Sequence, residues 1–383
     1  MRKPILAVLL LALGCSGSVE TEPSTSSTGT GGAGTGGAGT GGTGGSGAQG
    51  GGGAGGGPSA SCAEAKVLWS RNSDVPWVAL AVAPDGSVYT LALGGQIQKL
   101  AGTDGSLIAQ LQAPNIGAFH IAAGPGGRLL VGPDGASPAY RVFLDNNGML
   151  VPGWTLDAES LGLPDGIWGT RGAVTAEGQF AFTGSVDGKL PLIVLDDSKK
   201  KVWEVAQSPA DSSGWMLSAA NGTGVVTFKR GPGTVTRWAA GGAVVWSTPY
   251  DPGTAGVGDI AAAPSGDVYV LGLTDFPSDF PFSLGRISAE GKPMWMTTFP
   301  SNADESITCG VAPLPDGGAM LCTGFEHGLW GIQRLSSDGK PLWSPEGWFA
   351  ADCGSFGTVM QIAGSPDGAV VMLTSTGVVK IAP

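Results

Sequence analysis

Histidine is nearly absent from this 383-residue sequence, with His120 and His327 its only two. They stand at different offsets from the turn glycines of the repeats described below, so they are not expected to meet. A zinc site or a His-based triad would need them gathered with Asp, Glu or Cys. Charge is scarce as well: 13% of residues are charged, 20 Lys and Arg face 31 Asp and Glu, and the formal net charge is −11. That balance argues against nucleic acid, which selects basic grooves. Beyond one short N-terminal run, no apolar stretch approaches the ~20 residues of a membrane span. The mature chain is therefore expected to be soluble apart from any lipid. No Asp-x-Asp-x-Asp-Gly calcium loop is present and no two cysteines are adjacent.

What is present begins with an export signal. Met1-Arg2-Lys3 is basic, Ile5 to Leu13 is apolar, and Ala12-Leu13-Gly14 places small residues before Cys15. Leu11-Ala12-Leu13-Gly14-Cys15 resembles the lipobox of bacterial lipoproteins, although Ala12 stands where Leu is commoner. The resemblance implies a signal peptide over 1–14, lipidation of Cys15 and attachment to the cell envelope. Ser16 after the cysteine resembles lipoproteins passed on to the outer membrane. A Gly/Thr/Ser-rich tract follows through residue 62, too poor in apolar bulk to offset its ordering entropy. As a coil of some 45 residues it would span about 35–40 Å, enough to hold a domain off a membrane. Its Thr-Gly-Gly-Ala repeats resemble those of myxobacterial lipoproteins.

Residues 63–383 carry an internal repeat. An apolar strand, a Gly-ending turn and a second apolar strand recur at Val82-Ala83-Pro84-Asp85-Gly86-Ser87-Val88 and around Gly127, Gly178, Gly222, Gly266, Gly317 and Gly368. Pro followed by Asp-Gly, Ser-Gly or Gly-Gly sets a tight turn and supplies a residue tolerant of positive φ. Between these turns lies a second hairpin ending in Trp, as in Arg286-Ile287-Ser288-Ala289-Glu290-Gly291-Lys292-Pro293-Met294-Trp295 and in Arg334 to Trp343. Looser copies end at Trp154, Trp203 and Trp246, and the first copy has Leu111 in place of Trp. Two hairpins per repeat of about 41 to 51 residues predict four-stranded propeller blades. The last repeat stops at a third strand, and Ala65 to Ser70 has the missing fourth-strand pattern. The sequence thus predicts an all-β, seven-bladed propeller of four-stranded antiparallel blades, closed by the N-terminal strand pairing into the last blade.

The blade-ending Trp after Asp-Gly or Glu-Gly-Lys resembles the repeats of quinoprotein-like (PQQ-like) propellers. In that family the dehydrogenases stack the quinone under a disulfide of adjacent cysteines, a pair this chain lacks. No cofactor site is carried over, and no cofactor or metal is expected.

The candidate site residues are few. The series Trp69, Trp154, Trp203, Trp246, Trp295 and Trp343 reads as packing between sheets. Trp77, Trp168 and Trp215 break that register and precede first strands, where they could line a loop face and stack a sugar or peptide, or simply pack their own loops. The insertion Leu273 to Phe282 holds Phe276, Phe280 and Phe282; it suits a partner-contact loop or one folded back on its blade. Asp85, Asp145, Asp316, Asp338 and Asp367 are read as turn residues, and so is Asn221-Gly222-Thr223. Cys62, Cys309, Cys322 and Cys353 allow three pairings in an oxidising compartment. Cys309 and Cys322 flank one hairpin and are the preferred bridge, with the other two left open. The composite reading is a monomeric, membrane-tethered, non-enzymatic module binding protein or polysaccharide. The alternative is an enzyme on a propeller: a quinone-dependent dehydrogenase, a hydrolase or a lyase.

Overall fold

The computed structural model describes residues 66–113, 120–132, 139–146, 149–157, 172–183, 191–205, 217–220, 224–229, 233–250, 256–273, 282–299, 308–325, 329–342 and 359–382. Strand β1 (Lys66–Asn72) precedes the first blade, made of β2 (Trp77–Val82), β3 (Val88–Ala92), β4 (Gln96–Leu100) and β5 (Leu107–Gln112). Blade 2 is β6 (Ile121–Ala123), β7 (Leu129–Val131), β8 (Ala139–Asn146) and β9 (Met149–Asp157). Blade 3 is β10 (Gly172–Val174), β11 (Phe180–Thr183), β12 (Leu192–Leu195) and β13 (Lys201–Val205). Blade 4 is β14 (Leu217–Ala220), β15 (Gly224–Lys229), β16 (Thr234–Ala239) and β17 (Val244–Pro249). Blade 5 is β18 (Gly256–Ala262), β19 (Val268–Leu273), β20 (Phe282–Ile287) and β21 (Pro293–Phe299). Blade 6 shows β22 (Thr308–Pro313), β23 (Ala319–Phe325) and β24 (Leu329–Leu335), and a Leu335–Pro341 bridge marks where its fourth strand would start. Blade 7 is β25 (Val359–Gly364), β26 (Val370–Thr374) and β27 (Gly377–Ala382), completed by β1.

The expected ring of seven antiparallel blades is therefore observed. The first strands of successive blades touch one another in order, and β25 returns to β2. The closing pair β1–β27 runs from Lys66↔Ala382 to Asn72↔Gly377. Among the described residues there is no α-helix, only a 3-10 turn at Pro125–Gly127.

Burial follows from this stacking. Each inner sheet is covered on both faces, so β3, β26 and β27 are apolar and buried almost throughout. Outer strands lie where the blades diverge, and β5 and β21 alternate instead. Buried side chains fall into seven apolar clusters, and each joins two neighbouring blades: Tyr89 with Phe143 between blades 1 and 2, for example, and Trp69 with Leu80 and Leu100 between blades 7 and 1. The core is a set of seams, and closure adds the seventh.

Turns set the two faces. The first-to-second and third-to-fourth strand turns share one end of each up-and-down blade, here the turn face; the remaining connections form the opposite loop face. Lys66, which begins a fourth strand, lies on the turn face.

Candidate functional site

The loop-face mouth of the channel is built from one position repeated around the ring. Seven residues before the turn glycines of blades 1, 2, 5, 6 and 7 stand Ala79, His120, Asp259, Gly310 and Gln361. In the first strands of blades 1, 5, 6 and 7 a register shift, at Val78, Gly258, Cys309 and Met360, immediately precedes it. Such a bulge re-aims the next side chain. Asp259 Oδ2 accepts the Val311 amide of blade 6 at 2.9 Å, and Gln361 Oε1 accepts the Leu80 amide of blade 1 at 2.8 Å. His120 Nε2 lies 2.8 Å from the Gly172 carbonyl of blade 3. Since a carbonyl only accepts, that nitrogen carries the proton. Gly310 leaves the space open: a Cβ there would stand 3.0 Å from Asp259 Oδ2. The polar groups at the mouth thus latch one blade to the next.

A second set of latches runs along the turn face. The indole N–H of Trp69 donates to the Gly102 carbonyl at 3.0 Å, that of Trp154 to Asp197 at 2.9 Å, that of Trp246 to Ala289 at 2.9 Å and that of Trp295 to Ser337 at 2.8 Å. Every acceptor sits in the third-to-fourth strand turn of the following blade. The rings cover the turn glycines: a Cβ on Gly105, Gly242, Gly291 or Gly339 would come within 2.6–2.9 Å of Trp69, Trp203, Trp246 or Trp295. In the blade 3 turn, Lys199 occupies this place at φ 65° and holds Nζ 5.7 Å from the Trp154 ring centroid. A third-strand cation reinforces three of the latches. Lys380 donates to Gly102 O at 2.7 Å, Arg237 to Ala289 O at 3.1 Å and Arg286 to Ser337 O at 3.0 Å. Tyr269 adds its hydroxyl to the Gly317 carbonyl at 2.7 Å, and burial pushes its pKa up to about 12.

These placements bear on several sequence expectations. Within the Trp series read as packing between sheets, Trp69 and Trp203 are buried in the seams, and Trp154, Trp246 and Trp295, half-buried, pack against the seam clusters. The Trp position of the first blade is Ala109, which pairs with Lys99 as Trp295 pairs with Arg286, and not Leu111. Lys99 there forms an ion pair with Asp145 of blade 2, a contact that the reading of Asp145 as a turn residue did not include. Phe282 is not a loop residue: it opens β20, is 1% exposed and stacks on Phe299 at 4.9 Å. Trp77 is 4% exposed and packed in the seam between blades 7 and 1, so it has no open ring face for a ligand.

Asp85, Asp316 and Asp367 do bond their own turns, accepting the Ser87, Gly318 and Ala369 amides. Cys322 is fully buried and disulfide-bonded; Cys309 lies at the bulge between Thr308 and Gly310, whose partners are Thr323 and Cys322. Cys15, Cys62, Trp168, Trp215, Asn221, Phe276, Phe280, His327, Trp343 and Cys353 lie outside the described residues. Among the described residues, no three His, Cys, Asp or Glu side chains gather as a metal site, and no helix is long and apolar enough to cross a membrane.

One groove, of about 330 Å³, opens on the turn face between blades 6 and 7. Leu68, Leu314, Asp316, Arg334, Asp367 and Ala382 line it. Arg334 Nη2 pairs with Asp316 at 3.1 Å, and Asp367 pairs with Lys380 at 2.7 Å. Among the described residues, the buried Nε–H of Arg334 meets no acceptor.

No family model matches the chain, and no curated protein matches it in sequence. Solved structures do match in shape. The structure of streptogramin B lyase is 13% identical with a TM-score of 0.57, covering 83% of this chain and 96% of its own. The WD40 repeats of RRP9 are 15% identical at the same TM-score, covering 84% and 97%. The Pan2 WD40 domain of Neurospora crassa is 12% identical with a TM-score of 0.57, covering 83% and 95%. At such identities the likeness carries the fold alone.

Proposed function

We propose that this chain is a lipid-anchored binding or scaffold propeller of the cell envelope, recognising protein or polysaccharide through its loop face. One observation carries the reading. The polar side chains described at the channel mouth, His120, Asp259 and Gln361, are turned sideways into the backbone of the next blade. Acid–base or nucleophilic catalysis needs such groups within reach of a substrate in the cleft. A mouth built as a latch favours a rigid frame whose recognition falls to the connecting loops. The connection 274–281, with Phe276 and Phe280, and the connections bearing Trp168 and Trp215 join strands on that face.

The tether expected from Cys15 would enter the ring at Lys66, which begins a fourth strand on the turn face. The test is capture of partners from detergent-solubilised envelopes, with a glycan array in parallel, using the full chain and its Phe276→Ser/Phe280→Ser variant. A specific partner lost in the folded variant supports a binding module. Absence of any partner, together with turnover in a quinone, hydrolase or lyase screen, would overturn it in favour of an enzyme.

A further inference from the structure

The third-to-fourth strand hairpin of blade 4 differs from its counterparts. Those of blades 1, 2, 3, 5 and 6 carry Asp104, Asp145, Asp196, Glu290 and Asp338 at or beside their tips. In blade 4 the run is Trp238-Ala239-Ala240-Gly241-Gly242-Ala243-Val244-Val245-Trp246, with no polar side chain between the two Trp residues. Its tip is exposed all the same: Ala243 is open to solvent, and Val244 and Val245 are each 53% exposed. Blade 5 extends the patch. A Cβ on Gly285 would clash with Tyr250 of blade 4, so that face of the sheet looks towards blade 4. Met296 pairs with Gly285 and shares its face, with Met294 two residues before it, and each is 56% exposed. Trp246 ties the two blades together through its bond to Ala289 O. Contiguous exposed apolar side chains of this kind mark an interaction surface. Cations flank it. Lys199, Lys200 and Lys201 in blade 3 and Lys292 in blade 5 are four of the six exposed lysines among the described residues, in a chain of net charge −11. Of the acids beside them, Asp197 pairs with Arg128 and Glu204 with Lys201, while Asp196 and Glu290 bond within their own turns.

We propose that this hairpin docks on the surface of an anionic lipid bilayer, with Ala243, Val244, Val245, Met294 and Met296 at the acyl boundary and the lysines among the headgroups. The proposal rests on the lipid-anchored reading above, since the chain expected to carry the lipid joins the ring at Lys66, on the same turn face. An uncharged tip offers a protein partner no side-chain hydrogen bond to fix its register, whereas a lipid surface asks for none. The amides of Ala239 and Gly242 already donate to Ala243 O and Ala239 O at 2.9 Å, which lowers the cost of taking the tip out of water. Trp246, half-buried beside it, has the amphipathic ring that suits the headgroup level.

The full chain, reconstituted in vesicles of phosphatidylcholine and phosphatidylglycerol that carry a photoactivatable acyl chain, tests this. Peptides covering 239–247 are expected to gain about tenfold more lipid adducts than the matching hairpins 101–108 and 336–342. Val244→Asp/Val245→Asp should remove that excess with the thermal melt unchanged, Met296→Asp in the neighbouring blade should reduce it, and so should vesicles of phosphatidylcholine alone. A chain that floats with the vesicles but carries no excess on 239–247 overturns the docking and leaves the anchor standing; a chain that fails to float overturns both. An excess indifferent to the variants or to phosphatidylglycerol overturns the proposal as well. A doubled mass in sedimentation without vesicles, reversed by Val244→Asp/Val245→Asp, would assign the patch to a second copy and overturn it equally.

Discussion

Gln361 and Asp259 show how much a single side chain does here. Each reaches from one inner strand to an amide of the next blade, and for Gln361 that amide, Leu80, belongs to the opposite end of the domain. Truncation to Ala would leave a donor without a partner, at a cost of about 1–3 kcal/mol. Gln361→Ala is therefore expected to lower the urea midpoint with the slope preserved, and Gln361→Glu, which keeps an acceptor, should lose less. Asp367 supplies a pH dependence. Burial raises its pKa, but the Lys380 ammonium and the Ala369 amide outweigh that, leaving it below the ordinary carboxylate value. A depressed folded-state pKa contributes stability above the unfolded value of about 3.9, and that stability is lost as pH falls through the folded value. Asp367→Asn should be less stable at neutral pH and flatter between about pH 5 and 3, as followed by thermal melts across that range. Neither contact was legible beforehand. Asp367 reads as a turn residue, which it also is, and its pairing with Lys380 depends on the hairpin register of β26 and β27.

At the scale of elements, the unit of construction is a Trp on one fourth strand and a glycine turn on the next blade. Gly291 has φ 83° and the Trp246 ring lies over it. Gly291→Ala combines the left-handed cost of about 1–2 kcal/mol with a steric clash. Trp246→Ala removes the ring, so the double variant is expected to lose less than the two single losses combined; strict additivity in denaturant titrations would refute the contact. The Cys309 bulge makes a related prediction. A bulge sets two residues of one strand against one of its partner, here Cys309 and Gly310 against Cys322. Peptide mapping of the unreduced protein is expected to find Cys309 linked to Cys322, and a Cys322–Cys353 peptide would refute that bridge. These hairpins were readable because Gly, Asp and Pro act locally. The burial of Phe282 was not, since a strand boundary two residues past a Pro-Phe loop is settled by pairing with Phe299.

For the whole molecule, closure is the decisive event. Strand β1 covers the edge of β27 and brings Trp69 into the seam between blades 7 and 1. Replacing Lys66–Asn72 with a Gly-Ser stretch should expose that edge and one apolar seam. Aggregation and a broadened, less cooperative urea transition are expected by light scattering and circular dichroism. A monomeric, cooperative product would mean that the other six seams suffice. The sequence by itself determined the repeat, the blade count, the closing strand and the turn-borne Asp residues, because each rests on contacts between residues close in the chain or on a period counted along it. Only the tertiary structure decided which Trp rings lie over which glycines, that the mouth residues latch neighbouring blades, and that a groove opens between blades 6 and 7. Those outcomes depend on residues some 40 to 280 positions apart, and it is the closing of the ring that brings them within a hydrogen bond of one another.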